Sequence, residues 1–288
     1  MKKLNLLRFI FFIAGSIFVL ASCSSLEEAR SLHNQGKDGE ALKMAAKYLK
    51  DGDPAVRIEA ANLVGSIGGD EAGKLLMPVM DDEDAEVQVA AIDNIGKIKY
   101  EPASKKLVAM SISTDGDVFE AVGGAIRNIG APAIELLVKR YNSTSDTAEK
   151  NAYKKAMFEV GPSVAASIAK SLAGKSFFEN RGNFELLIAF KNPMVAQWML
   201  DEIENEAVAD MVVEALVKLG KQAVVPIVNK LQGLKGREGF AELKSRLIRA
   251  LGEIKDRSVV PLLEEFSKDD IESVSNAAEL SLRKVRGF

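Results

Sequence analysis

Apolar and small residues recur along this chain with two superimposed periods. The shorter one is that of an α-helix: Val56, Ala60, Val64 and Ile67 step by four, four and three and trace one stripe. The longer one is the interval from Asp53 to Asp84, kept again to Asp115 and to Asp146. In that register the stripe returns as Val87, Ala91, Ile95 and Ile98, then as Val118, Val122, Ile126 and Ile129. It returns once more as Tyr153, Met157 and Val160, with Glu149 in the first place. The four aspartates precede these stripes where a helix N-cap stands, and Pro54 takes the favoured first helical position. The pattern reappears as Val208, Val212, Leu216 and Leu219, two units further on less a small deletion. Leu243, Leu247, Leu251 and Ile254 follow after a lengthened interval, the excess lying in Gly233 to Gly239. Val274, Ala278, Leu282 and Val285 close the series at the regular spacing.

Between successive stripes lies a second, shorter amphipathic segment, as in Ala133 to Tyr141, Val164 to Leu172, Val224 to Leu231 and Ser258 to Phe266. Gly68, Gly130, Gly161 and Gly220 punctuate the junctions as helix C-caps do. Each unit therefore reads as two helices, A then B, with the long stripe on B. The stretch from Leu26 to Leu49 reads as two helices broken at Gly36, the second serving as the A helix of the first unit.

Asp53 to Gly68, and the strings Val224-Val225-Pro226-Ile227-Val228 and Val259-Val260-Pro261-Leu262-Leu263, resemble the short bacterial HEAT repeat. The resemblance covers about residues 51 to 286, with an irregular fifth unit at Lys175 to Phe184 and an insertion at Leu234 to Gly239. It implies an all-α fold, a right-handed α-solenoid of about eight antiparallel helix pairs. Residues 26 to 49 look like a tetratricopeptide-type cap. At roughly 8–10 Å per packed layer, eight layers make a wall of about 70 Å, suited to an extended partner.

The N-terminus carries a different signal. Lys2, Lys3 and Arg8 precede an apolar run from Phe9 to Leu20, too short for a comfortable membrane span. The following Leu20-Ala21-Ser22-Cys23 resembles the lipobox of bacterial lipoproteins. That resemblance implies cleavage before Cys23 and a diacylglyceryl group, usually with a further acyl chain, on the new N-terminus. Several acyl chains hold a protein at a membrane firmly, where one alone is marginal. The expected organisation is a signal peptide over 1–22, a lipidated N-terminus and helical hairpin over 23–50, and a repeat domain over 51–288. Ser24 and Ser25 resemble the outer-membrane sorting pattern, with the leaflet left open.

Composition narrows the function classes. The chain has a formal net charge of −3, which becomes −6 without the three basic residues of the leader. An acidic body argues against nucleic acid as a partner. Its single cysteine leaves no intramolecular disulfide. The only histidine, His33, has no companion histidine, so zinc of the usual kind is not expected, nor any cofactor. Neither a phosphate loop nor a nucleophile elbow is present. The acidic strings Asp81 to Asp84 and Asp115-Gly116-Asp117 lack calcium-loop spacing and read as solvated turns and helix N-caps.

The resulting expectation is a lipid-anchored, non-enzymatic scaffold of the cell envelope that binds a protein. Two alternatives stand beside it: a bilin-lyase-like HEAT enzyme, and a surface adhesin or host-interaction lipoprotein. With 100° per residue, repeat positions 58, 62 and 65 point roughly away from the stripe. In the family this resembles, B helices line the concave wall. Asn62, Asp93, Arg127, Lys155, Phe158, Glu214 and Arg249 occupy that ridge, with Phe158 as its aromatic anchor.

Overall fold

A computed structural model describes residues 26–172, 176, 179–237 and 239–287. Cys23 with its leader, and Phe177 and Phe178 of the irregular segment, lie outside these residues. Among the described residues every regular element is helical. No single described helix is long and apolar enough to cross a membrane.

The chain divides into two compact units, Met1–Val164 and Ala165–Phe288. In the first, α1 (26–34) and α2 (Asp38–Ala45), which ends in a 3-10 turn over Ala46–Lys50, precede the B helix α3 (Pro54–Ile67). Three pairs follow: α4 (Gly69–Leu76) with α5 (Ala85–Lys97), α6 (Ser104–Met110) with α7 (Gly116–Ile129), and α8 (Ala131–Ser143) with α9 (Thr147–Val160). The second unit repeats the scheme. It pairs α10 (Pro162–Leu172, its first residues in the first unit) with α11 (Arg181–Ala189), and α12 (Met194–Asp201) with α13 (Glu206–Leu219). The last pairs are α14 (Val224–Gly233) with α15 (Ala241–Ile254), and α16 (Val260–Phe266) with α17 (Glu272–Arg286).

The stripe forms the core. Ala60, Val64, Ala91, Ile95, Val122 and Ile126 are all fully buried, as are Val212, Leu216, Leu247 and Leu251. Ile67, Ile98 and Ile129, at the ends of their helices, are only half-buried. The fifth unit keeps the register: Phe184 and Ile188 lie one repeat beyond Tyr153 and Met157, and both are buried. The deletion falls after them.

Capping follows the aspartates with one exception. Asp53 accepts from the Ala55 amide at 2.9 Å, Asp84 from Glu86 at 2.9 Å, and Asp146 from Glu149 at 2.7 Å. Asp115 stands in the same place but its side chain caps nothing. The next residue, Gly116, opens the helix at φ +52°, a left-handed start that turns the carboxylate away from the first amides.

The flank of each B helix decides how near the next one comes. Gly65, Gly96 and Gly252 hold one repeat position, and each faces the neighbouring B helix. A Cβ on Gly96 would lie 2.8 Å from the Ala125 Cα, and one on Gly252 2.9 Å from the Ser281 Cα. On Gly65 it would overlap the Asn94 side chain. These junctions, α3/α5, α5/α7 and α15/α17, are the most extensive helix–helix packings among the described residues. Gly65 and Gly96 are therefore buried, whereas Arg127 and Phe158 at the same repeat position are exposed, so repeat position 65 is open only where the glycine is replaced by a larger residue on those helices. Among the A helices, α6 lies against α8 and α12 against α14, while among the described residues no other consecutive A helices pack comparably.

Arg57 is the other fixed point. It is 5% exposed, and its Nε and Nη2 donate to the two Asp82 carboxylate oxygens at 2.9 and 2.8 Å. Nη1 donates to the Asp51 carbonyl oxygen at 2.8 Å. Burial pushes the Asp82 carboxyl up, but the Arg57 hydrogen bonds and the Asp84 amide outweigh this and hold it below the usual range.

These contacts set the stability of the stack. Gly96→Ala should lower unfolding free energy by about 1–2 kcal/mol, since helix displacement exceeds the propensity gain. Gly124→Ala, in the same region of α7 with no atom near its added Cβ, should be neutral or raise it by up to about 1 kcal/mol. Asp82→Asn should cost about 3 kcal/mol near neutral pH by leaving Arg57 without its counter-charge. A depressed folded pKa stabilises above the unfolded value and is lost as pH falls through the folded one. The wild-type advantage over Asp82→Asn should therefore shrink as acid protonates Asp82, which urea unfolding across the acidic range measures.

Candidate protein-interaction surface

The ridge left open by the stacking is narrower than the sequence pattern suggests, because both flanks of most B helices are covered. In the first unit, Asn62, Asp93 and Lys155 are exposed at one repeat position on α3, α5 and α9. Gly124 holds that position on α7. Asn62 is tied down: its Oδ1 accepts from the Asn94 Nδ2 at 2.9 Å, and that amide also donates to the Ala90 carbonyl at 2.7 Å. Lys155 places its ammonium 4.4 Å from the centroid of the Phe119 ring, a cation–π contact between α9 and α7.

Arg127 and Phe158 occupy the register of Gly65 and Gly96, and they replace close approach with side chains. The Arg127 Nε donates to the Val160 carbonyl at 2.7 Å, and its Nη2 donates to the Glu159 carbonyl. Both acceptors belong to the last turn of α9, where helix geometry leaves carbonyls without partners. Arg127 is thus a bolt across the α7/α9 junction as well as a ridge residue. Phe158 remains 42% exposed beside it. Arg127, Lys155 and Phe158 gather at this one junction, with Asn62 and Asp93 on the preceding helices.

In the second unit, Glu214 and Arg249 are exposed on α13 and α15. Glu214 pairs with Lys218 at 2.7 Å, and that ammonium holds its carboxyl below the usual range. A narrow groove between α11 and α13 is lined by Arg181, Glu185, Ile188, Met211, Glu214 and Lys218. Arg181 and Glu185 form a second ion pair there at 2.9 Å. Between α13 and α15, Arg246 reaches Glu206 at 2.9 Å, Glu242 at 3.1 Å and Asp210 at 3.6 Å.

Sequence reading missed Leu280, which is 47% exposed at the same repeat position as Glu214 and Arg249. Its signal was available, since it lies one regular repeat beyond Arg249. Arg57 was also missed; the usable signal was an acid, Asp82, at the next A-to-B turn. The acidic string at 81–84 serves the fold: Asp81 pairs with Lys106, Asp82 with Arg57, and Asp84 caps α5. His33 bonds Asp38 through Nδ1 at 2.7 Å on the hairpin surface. Among the described residues no three histidine, cysteine, aspartate or glutamate side chains gather as a metal site.

The family model of HEAT repeats matches residues 26–88, and that of the PBS lyase HEAT-like repeat matches residues 243–269. One segment in each of the two units thus resembles a HEAT-type repeat. No curated protein matches it in sequence. Among solved structures it is similar to the complex of CpcE and CpcF of phycocyanin lyase from a Nostoc species. Identity is 18%, covering 90% of this chain and 88% of that one, with a TM-score of 0.35. It is similar also to human deoxyhypusine hydroxylase in complex with glycerol, at 16% identity over 93% of this chain and 99% of that one, TM-score 0.31. An engineered protein matches at 18% identity over 85% of this chain and 96% of its own, TM-score 0.31.

Removing the Arg127 fork should cost about 1–3 kcal/mol, because two carbonyls at the end of α9 lose a charged donor. Arg127→Ala measured by chemical unfolding should therefore be less stable than wild type, whereas Arg249→Ala should stay within about 0.5 kcal/mol.

Proposed function

We propose that this protein is a scaffold held at a membrane by lipid on Cys23, and that it binds a protein partner through the exposed ridge of its B helices. The observation that carries the reading is the ridge itself. It is a mixed-charge surface on stacked helices, with Asp93 and Arg249 projecting outward and Phe158 and Leu280 supplying partly exposed apolar area. Aromatic anchors ringed by polar side chains are the usual energetic centres of protein interfaces. Rigid helices present them with little ordering entropy. The chemistry the ridge offers is recognition, so we assign it a binding role and no catalysis.

The anchor and address follow from the N-terminal segment and are part of the same proposal: an envelope lipoprotein, sorted to the outer membrane. Labelling with a palmitate analogue should mark the wild type and fail on Cys23→Ser. Protease treatment of intact cells should distinguish display on the surface from residence beneath the membrane.

Crosslinking through the native anchor should yield the partner. Phe158→Ala and Asp93→Arg should then each weaken binding by about fivefold or more, with the helical circular dichroism of wild type retained. Unchanged affinity in both, with loss only from substitutions on the A helices, refutes the ridge.

A further inference from the structure

A second surface lies on the first helical hairpin, opposite the side that α2 and its 3-10 turn bury. Leu42, Ala45 and Leu49 pack inward, while Lys43, Lys47 and Lys50, at helical spacing on the other side, are all exposed. From Ala41 to Lys50 the chain holds three lysines and no acid, although the protein as a whole is acidic. Met44 and Tyr48, half-buried and one turn apart, flank them. The neighbouring cations are engaged, Arg30 with Glu59 at 3.4 Å and Lys74 with Asp70 at 3.2 Å. Among the described residues no acid pairs with Lys43, Lys47 or Lys50. The acids nearest in the chain are Asp38, bonded to His33, exposed Glu40, and Asp51, whose carboxylate accepts from the Asp53 amide. Glu27 and Glu28 stand exposed on α1, Glu27 within 3.8 Å of Arg30.

Where the chain enters this hairpin decides what the face meets. The turn at 35–37 reverses the chain, so α1 runs back along α2. At about 1.5 Å per residue, α1 traced back from the turn reaches Leu26 over the same length that α2 takes to reach Ala46. Buried Leu26 is therefore at the Lys47 end of the pair. Cys23 precedes Leu26 by three residues, at most about 11 Å of chain. A lipid on Cys23 leaves no linker on which the hairpin could swing clear of the bilayer. The side chains brought to that surface suit it: lysines carry charge opposite to that of anionic headgroups, their stems lie along apolar surface, and tyrosine favours the headgroup level. Three lysines are too few to hold an acidic protein at a membrane unaided, but a tether this short supplies the effective concentration.

We propose that the exposed face of α2 and its 3-10 turn rests on anionic phospholipid headgroups, so that the anchor holds the first unit against the bilayer in one orientation. The ridge residues Asn62 and Asp93 belong to α3 and α5, in the other helix layer, and this orientation keeps them clear of lipid. The proposal rests on the reading of Cys23 as the lipidated residue and adds a contact that lipidation alone does not require.

Lipidated full-length protein would be reconstituted in vesicles of phosphatidylcholine alone, or of equal parts phosphatidylcholine and phosphatidylglycerol. With the Cys23 thiol taken by lipid, Met44→Cys and Asp93→Cys each offer one free thiol for a nitroxide. A water-soluble nickel complex should relax the label of Met44→Cys at least about threefold less in the anionic vesicles than in phosphatidylcholine, and that of Asp93→Cys equally in both. Adding Lys43→Gln, Lys47→Gln and Lys50→Gln should remove the protection while the protein still floats with the vesicles and keeps its helical circular dichroism. A Met44→Cys label relaxed equally in both vesicles, on protein that floats, overturns the proposal and leaves the anchor standing. Protein that does not float overturns the anchor and this contact with it. Protection that persists in the triple glutamine variant, or that grows with the protein-to-lipid ratio as contact with a second copy would, overturns the proposal equally.

Discussion

A helix pair in this chain cannot bury its stripe alone; it needs the next pair beside it, at a fixed distance. That distance is set where consecutive B helices meet. At Gly96 and Gly252 the absence of a Cβ lets the neighbouring helix come to backbone contact, and at Gly65 it makes room for the Asn94 side chain. Asn94, Ala125 and Ser281 are the small or thin side chains received there, and Ser281 adds a hydrogen bond to the Ile248 carbonyl at 3.0 Å. Interiors packed at crystal-like density tolerate little error in such a contact. The stripe could be of any apolar composition and still form a core, but only a narrow set of residues permits this spacing.

Where the glycine is replaced, the junction is held by different chemistry. Arg127 stitches α7 to α9 through two backbone carbonyls. Val217 occupies the same register on α13, and there Arg246 bridges to Glu206 and Asp210. The two kinds of junction differ in what they leave outside. A glycine contact closes the space between helices. Between α11 and α13, where Ala189 stands in the glycine register, a groove with polar walls remains. The residue in this one register thus differs from junction to junction along with what the junction leaves open.

Periodicity in the sequence was sufficient to place α3, α5, α7, α9, α13, α15 and α17, because four apolar columns in one register have no other simple explanation. It was insufficient for the flanks. Reading one apolar stripe divides a helix into a buried face and an open face, which suits a helix lying on a single layer. A stacked B helix is covered on three sides, so residues about 100° from the stripe, such as Gly65 and Gly96, are buried although nothing in the stripe marks them. The fifth repeat reads only as irregular for a related reason. Phe184 and Ile188 keep the register, but Asn180 and Lys191 at either end are polar, and a shortened helix shows only half the pattern. Arg57 and Asp82 are easily passed over, because a buried ion pair is spelled with the same letters as a solvated turn.

This distinction bears on how much of the ridge is available to another molecule. An exposed ion pair such as Glu214 with Lys218 is screened by solvent and weak, so a partner can exchange it for its own charges at little cost. The Arg127 fork is a different case, since its acceptors are main-chain atoms that would be left bare at the end of α9. Asn62 is committed through the Asn94 amide to the α3/α5 contact. Recognition on this surface therefore falls to side chains whose engagement does not loosen the stack. Asp93, Arg249 and Leu280 meet that condition, and Phe158 offers apolar area beside a junction that Arg127 already holds rigid. The same residues that fix the spacing of the helices also determine which neighbours are left to bind.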